Sequence, residues 1–462
     1  MTDAFPIGQQ LSSAGRLVAL LRKVKQTVGG GSQHGQVGRA ALTAFAIRVV
    51  SAGVAYLSQV IMARWMGSFD YGVFVWVWVW VLILGGLSSL GLQVAAIRFV
   101  PEYLERSEMA LLRGTLLVFR AIPVAVSTGV MALSIVGLYV LGDRIDSRYL
   151  LPLYLALTCL PLYALTDVQD GIGRGRSWIG LGLIPPYVLR PLLILLGMAA
   201  ARLLGLPMTA TTAAGSAVVA TWLTGIVQLG LMERKLAREL SPGPREIQVR
   251  MWLATSLPIC FISACELVLQ NVDVLVLTRY VDASLVGVYF AALKTISLIS
   301  FVNYAVGSAF ASRLSALKAR GDHAGLEKAV RLGATWSFWP SLAGAAVLLL
   351  LGKPLLAMFG AEFTSGYPTM FLLAVGFLVR SVVGPAEFVL RMLGEQNMCA
   401  VVLGVTALVD MTLCVMLVPQ AGPFGAAAAN AISMSLAALL FYNVARRRLG
   451  IDVSAFGRLR GA

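Results

Sequence analysis

The chain has 462 residues, of which 58% are apolar and only 13% charged, with a mean hydropathy of +0.82; a soluble chain carries roughly a quarter charged residues. This composition excludes a secreted or cytosolic enzyme, a collagenous chain and a disordered one, and indicates a membrane protein. The net charge of +15 is not the footprint of a nucleic-acid binder, because Lys and Arg fall in short segments between apolar tracts rather than on one water-exposed face interleaved with aromatics.

Roughly 20 apolar residues span a bilayer, and the uncharged tracts, punctuated by Gly, Pro and charge, predict twelve spanning helices. Residues 1–39 precede them as an N-terminal tail. Arg16, Arg22, Lys23 and Lys25 interrupt its apolar stretch, so it does not read as a signal peptide. Leu11, Leu17, Leu21, Val24 and Val28 fall near one helical face, which suits a short basic amphipathic helix on the membrane surface or else a plain disordered tail. Six predicted helices follow, at 40–63, 71–97, 117–141, 150–172, 178–201 and 209–232, forming an N-terminal bundle over 40–233. A basic linker at 234–250, with Pro242, Gly243 and Pro244, divides the chain almost evenly. The second six, at 255–278, 286–310, 331–351, 369–391, 398–417 and 424–445, form a C-terminal bundle over 251–445, followed by a basic tail at 446–462. The expected fold class is an all-α polytopic membrane protein of two related six-helix bundles.

Charge sets the expected orientation. With the N-terminus inside, 26 Lys and Arg fall in cytoplasmic segments and 6 in outer loops, which places both termini and the central linker in the cytoplasm. A repeat crosses the linker. Arg64-Trp65-Met66 and Gly72-Val73-Phe74 recur as Arg279-Tyr280-Val281 and Gly287-Val288-Tyr289, every member displaced by 215 residues. Both halves have the same orientation, so the repeats are parallel, related by an axis along the membrane normal.

The stretch Ala63-Arg64-Trp65-Met66-Gly67-Ser68-Phe69-Asp70-Tyr71-Gly72 resembles the first outer loop of bacterial oligosaccharide-lipid flippases. These form the polysaccharide-transporter branch of the multidrug/oligosaccharidyl-lipid/polysaccharide exporter superfamily. Asn271-Val272-Asp273 through Gly287-Val288-Tyr289-Phe290-Ala291-Ala292 is similar to that family's seventh and eighth helices, and Phe359-Gly360 through Tyr367 to its ninth-to-tenth connection. The resemblance spans roughly residues 40 to 445 and rests on the order of its motifs and the helix count. It implies a central cavity between the bundles, a bacterial cytoplasmic membrane location, and movement of polyprenyl-pyrophosphate-linked sugar repeat units from the inner to the outer leaflet for exopolysaccharide or O-antigen type export. The implied partners are that lipid-linked oligosaccharide, membrane lipid, and a glycan polymerase with its export machinery. The lipid II branch usually carries extra C-terminal helices, so a peptidoglycan precursor is the less expected substrate.

Five cations lie within predicted spans: Arg48, Arg120, Arg190, Lys294 and Arg380. Each costs about 2.5 kcal/mol or more at mid-bilayer and should face protein or a wet cavity. Arg120 sits near a helix start and is expected to snorkel. Arg190 and Arg380 come near the midplane of their helices, about 18 and 16 Å from the helix starts. Arg48, Arg190, Lys294 and Arg380 are therefore the candidate substrate contacts, in a cationic cavity for a pyrophosphate, Arg offering a planar fork to phosphate oxygens. The competing reading pairs them with buried acids, for which Asp167, Glu266, Asp273, Glu387 and Asp410 are available. Glu266 and Asp273, seven residues apart on one helical face, are candidates for proton or sodium coupling. Asp167 and Asp170 have Arg174 and Arg176 as neighbours. Trp76, Trp78 and Trp80 read as outer-interface anchors. Pro123, Pro185, Pro186, Pro191, Pro258, Pro340 and Pro385 interrupt spans and suit bending during alternating access.

No catalytic residue, cofactor or metal is expected. The five cysteines all lie in apolar tracts as free thiols, and His34 and His323 fall in loops. Gly171 to Gly175 lacks the Lys and Ser/Thr of a phosphate-binding loop. Outer loops are too short for a glycosyltransferase or polymerase. The rival function is a multidrug and toxin extrusion type cation antiporter on the same fold, which would want an acidic, aromatic-lined cavity.

Overall fold

The computed structural model describes residues 33–142 and 145–456; the expected amphipathic helix of the N-terminal tail lies outside the described residues. Among these, the regular elements are all helical. Ten helices are long and apolar enough to cross a membrane. One of them, Ala46–Glu105, contains a reversal at Gly67 (φ 76°, ψ 172°). The Tyr71 hydroxyl donates to Gln59 Oε1 at 2.7 Å. In a straight helix residues twelve apart stand about 18 Å apart, so the chain doubles back. With a further pair bent by 48°, Ser147–Leu157 and Leu160–Gly175, the crossings number twelve.

The first six are α1 (33–66), α2 (68–88 and Leu92–Glu105), α3 (Met109–Leu141), α4 (the bent pair), α5 (Ile179–Ile184, Pro185–Leu189, Arg190–Leu203) and α6 (Ala210–Glu239). After the linker come α7 (Val249–Tyr280), α8 (Ala283–Ile296, Ser297–Ile299, Ser300–Ala319), α9 (His323–Leu350), α10 (Tyr367–Val382 and Ala386–Met392), α11 (Gln396–Ala421) and α12 (Pro423–Val444). Of the spanning prolines, Pro123, Pro258 and Pro340 sit inside unbroken helices. Pro185 and Pro186, in a π turn that Pro191 closely follows, and Pro385, at the α10 break, mark departures from regular α-helix, as does Pro161 just after the bend in α4.

The two bundles meet along α1 and α2 against α7 and α8. At the end remote from the linker, α2 crosses α8 backbone to backbone. A Cβ on Gly72 would stand 1.8 Å from the Ala283 carbonyl oxygen, and one on Gly287 would stand 2.5 Å from that of Ser68. Each pair, 68 with 283 and 72 with 287, is separated by the 215-residue repeat, so the local twofold axis passes through this crossing. Close by, Ser68 N–H donates to Glu362 Oε1 at 2.7 Å, and Tyr71 packs edge to face on Phe290 and Phe363 and tilted on Phe359. Toward the linker end, Trp252 Nε1 donates to the Tyr103 hydroxyl at 2.9 Å and joins α7 to α2. There the Ser300–Ala319 part of α8 draws away from α1, which Ala283–Ile296 packs closely. That divergence opens a cavity.

The C-terminal segment differs from a loose tail. A π turn, Ala445–Leu449, prolongs α12, Ile451 and Val453 are buried, and Ala455 N–H donates to the Val382 carbonyl at 2.8 Å. Val382 ends the first part of α10, where the helix leaves carbonyls without internal partners, and the returning segment supplies one.

Candidate functional site: a cationic cavity between the bundles

The cavity has two connected compartments, of about 870 and 400 Å³. Ala52, Gln59, Trp78, Lys294 and Phe301 line both. The smaller is walled chiefly by the N-terminal bundle and receives Arg48 and Arg190; the larger lies mainly among α1, α8 and α10 and receives Arg380, Glu387 and Arg391.

The path of α5 explains the smaller compartment. Pro185 and Pro186 lack backbone N–H groups, the ladder widens into the π turn Pro185–Leu189, and Tyr187, Arg190 and Pro191 line the wall. The Arg48 guanidinium lies over the Tyr187 ring at 4.0 Å; that of Arg190 lies 4.6 Å from the Tyr163 centroid and 5.9 Å from that of Trp78. Lys294 Nζ is 4.8 Å from the Phe290 centroid. These faces stabilise the cations without neutralising them. Among the described residues, none of the three makes an ion pair, and Arg48 Nε and Arg190 Nη1 have no hydrogen-bond partner. Arg190 does this while only 8% exposed. The buried Asp170 is held by Arg174 through two bonds, at 2.8 and 3.1 Å.

The larger compartment is built on the break in α10. Gly384 adopts φ +53°, and a Cβ there would stand 2.6 Å from Ala334 Cα, so glycine serves both the turn and the approach to α9. Seven residues of unbroken helix would separate Arg380 from Glu387 by about 10 Å along the axis. Across the break Arg380 Nη2 donates to Glu387 Oε2 at 2.7 Å. Arg391 bridges Glu387 Oε1, at 2.7 Å, and Glu266 on α7. Two cations thus alternate with two carboxylates, whereas the three cations of the smaller compartment, of which Lys294 also lines the larger, make no ion pair among the described residues; Asp170, Asp167 and Asp273 lie only in electrostatic reach of Arg48, Arg190 and Lys294 in turn.

Other side chains depart from expectation. Arg120 does not snorkel alone: it pairs with Glu233 of α6. Arg176 pairs with Glu239 rather than with Asp167 or Asp170. Trp78 lines the cavity instead of anchoring an interface. Glu266 and Asp273 are not brought together as a pair of free carboxylates. Glu266 belongs to the Arg391 ion pair, whereas Asp273 is buried and accepts from the Tyr289 hydroxyl at 2.5 Å and the Val274 N–H at 2.8 Å. Asp410 of α11 lies in electrostatic reach of Asp273, and neither of its carboxylate oxygens has a hydrogen-bond partner among the described residues. Sequence reasoning missed Arg391, Tyr163 and Tyr187 as wall residues; the Pro185-Pro186 and Gly384-Pro385 pairs were the available signals. The described residues contain no group of three or more His, Cys, Asp or Glu suited to a metal.

Residues 37–311 match the family model described as polysaccharide biosynthesis protein, and residues 258–416 match that of MatE. No curated protein matches the chain. Among solved structures, an inward-facing multidrug resistance MATE family transporter of the MOP superfamily superposes with a TM-score of 0.72 at 13% identity, covering 86% of this chain and 94% of that one. An outward-facing one gives 0.66 at 14%, covering 89% and 95%. A MOP superfamily transporter from Pyrococcus furiosus, described as having a binding pocket of reversed polarity, gives 0.63 at 14%, covering 89% and 95%. At these identities the likeness concerns the fold.

Proposed function

The chain belongs to the polysaccharide biosynthesis protein family, within the MOP superfamily of membrane transporters, and on that premise we propose that it flips polyprenyl-pyrophosphate-linked oligosaccharides across the bacterial cytoplasmic membrane. The observation that carries this reading is the convergence of Arg48, Arg190 and Lys294, none of them ion-paired among the described residues, on one cavity between the bundles. Intramembrane cations are costly unless they have a function or a partner. A pyrophosphate diester, with about two negative charges, supplies the partner. The divergence of α1 and α8 toward the linker end supports a resting state open to the cytoplasm, and rocking of the bundles about the Gly72 and Gly287 crossing would open the other end. The polymerase and export partners belong to the same reading.

An organic-cation antiporter is the second reading, favoured by the MatE match over 258–416. It would place a cation against three like charges, which costs rather than gains free energy. Proteoliposomes separate the two. The flippase reading expects outward movement of a fluorescent undecaprenyl-pyrophosphate-linked glycan that Arg190→Gln slows by tenfold or more. Transport of ethidium with no movement of the lipid-linked glycan would establish the antiporter instead.

A further inference from the structure

The two compartments differ in charge balance, and the difference bears on which glycan the cavity accepts. In the smaller one, Arg48, Arg190 and Lys294 offer three positive charges that match a pyrophosphate. In the larger one, Arg380 and Arg391 are already matched by Glu387 and Glu266 in one connected chain. Apart from Lys294, which lines both compartments, the remaining wall there is uncharged and suited to sugars: it includes the aromatic Tyr304 and Phe388 and the amides Gln270, Asn303 and Asn430. The side-chain oxygens of Asn303 and Asn430 have no hydrogen-bond partner among the described residues, and a rotation of either amide toward the cavity would offer an acceptor to a sugar hydroxyl. The volume, about 870 Å³, lies toward the top of the range that encloses a drug-sized ligand.

Resting on the reading of the cavity as a site for a pyrophosphate-linked glycan, we infer that the larger compartment selects uncharged sugars, and that Glu387 enforces the selection. A uronic acid or other anionic sugar entering it meets the Glu387 carboxylate. To pair with an arginine it must displace Glu387 or Glu266, which leaves a carboxylate half-buried and unpaired, or share Arg380 Nη1 or Arg391 Nε, which have no hydrogen-bond partner among the described residues, beside a carboxylate of its own sign. A neutral sugar needs neither step. The anionic part of the substrate is thereby directed to the smaller compartment and the glycan to the larger.

The test uses the full chain in lipid nanodiscs and three probes: bare undecaprenyl pyrophosphate, the same lipid carrying a neutral trisaccharide, and that trisaccharide with one hexose replaced by a hexuronic acid. The wild type is expected to bind the neutral glycolipid about tenfold more tightly than the acidic one. Glu387→Gln frees Arg380 and Arg391 toward the cavity and should bring the two affinities together; Glu266→Gln should act in the same direction, and thermal unfolding reports the fold of each variant. Equal or tighter binding of the acidic glycolipid by the wild type, or a ratio unmoved by both substitutions, overturns the inference while leaving the pyrophosphate site standing. Failure of bare undecaprenyl pyrophosphate to bind at all removes the flippase reading beneath it.

Discussion

Arg190 is held between the rings of Tyr163 and Trp78, with one guanidinium nitrogen lacking a hydrogen-bond partner and no ion pair among the described residues. Ring faces offset part of the desolvation cost of a guanidinium but supply no counter-charge, so the group is poised for an anion. Arg190→Gln keeps a hydrogen-bonding side chain and removes the charge. It is expected to lower glycan export by tenfold or more, the loss of roughly 1.5–3 kcal/mol associated with a hydrogen bond to a charged group, at unchanged membrane insertion. Arg190→Lys should restore only part, since an ammonium cannot make the bidentate contact. Normal export by Arg190→Gln would count against the site. The positions of Arg48, Arg190, Lys294 and Arg380 were legible from the sequence because the bilayer makes any mid-span cation anomalous. Arg391 was not legible: it lies at a helix end, where Lys and Arg are ordinary, and only the Gly384 and Pro385 break turns that end into the cavity wall. Nor could the sequence say that Glu266 and Asp273 would find different partners, since a shared helical face fixes direction and not what the neighbouring helices bring to it.

At the scale of elements, the α2 and α8 crossing governs how tightly the end remote from the linker can close. Gly72 and Gly287 are in repeat register and each meets the other's helix backbone, a contact no side chain permits. Gly72→Ala would put its methyl group against the Ala283 carbonyl, at a cost of about 1–3 kcal/mol if the helices shift to accommodate it. The strain falls only on the state closed at this end, so the substitution should populate the opposite state. Spin labels on Arg64→Cys and Ser365→Cys, both at exposed positions flanking the crossing, would then report a longer mean distance in the Gly72→Ala background. An unchanged distance distribution would mean that the crossing does not set the closure. The repeat itself was legible, as Arg-aromatic-aliphatic followed by Gly-Val-aromatic recurs in order. The widened turn of α5 was legible only as a pair of prolines, and the similar prolines in α3, α7 and α9 pass through helices without a break. Whether a proline bends, breaks or widens a helix depends on which neighbours re-satisfy the freed carbonyls, information that no single span contains.

The whole molecule carries an electrical asymmetry. The excess of Lys and Arg in the segments that the sequence assigns to the same side as the linker, 26 against 6, predicts that this side is cytoplasmic. A cysteine introduced at the exposed Ser241 should therefore resist a membrane-impermeant maleimide in intact cells and react after permeabilisation; labelling in intact cells would invert the orientation. With the linker inside, flipping moves about two negative charges outward across an inside-negative membrane, a gain of roughly 2.3 kcal/mol per charge per 100 mV if they cross uncompensated. Compensation would require the cavity cations to traverse the field with the substrate. Arg48, Arg190 and Lys294 are fixed to α1, α5 and α8, and bundles that rock about a contact such as that of Gly72 and Gly287 carry them through only part of the field. On this argument cancellation should be incomplete, and the membrane potential is expected to contribute directly to flipping. The competing engine is ion coupling through the buried acids, with Asp273 bonded to Tyr289 and Asp410 left without a hydrogen-bond partner among the described residues. Proteoliposomes with a potassium diffusion potential and no proton or sodium gradient distinguish the two, because only voltage is then available. Flipping of an undecaprenyl-pyrophosphate-linked glycan should accelerate with a potential negative on the linker side and slow when it is reversed, and Asp410→Asn should leave that response in place. A rate indifferent to voltage, rising with a proton or sodium gradient and lost in Asp410→Asn, would assign the driving force to the acids of the C-terminal bundle.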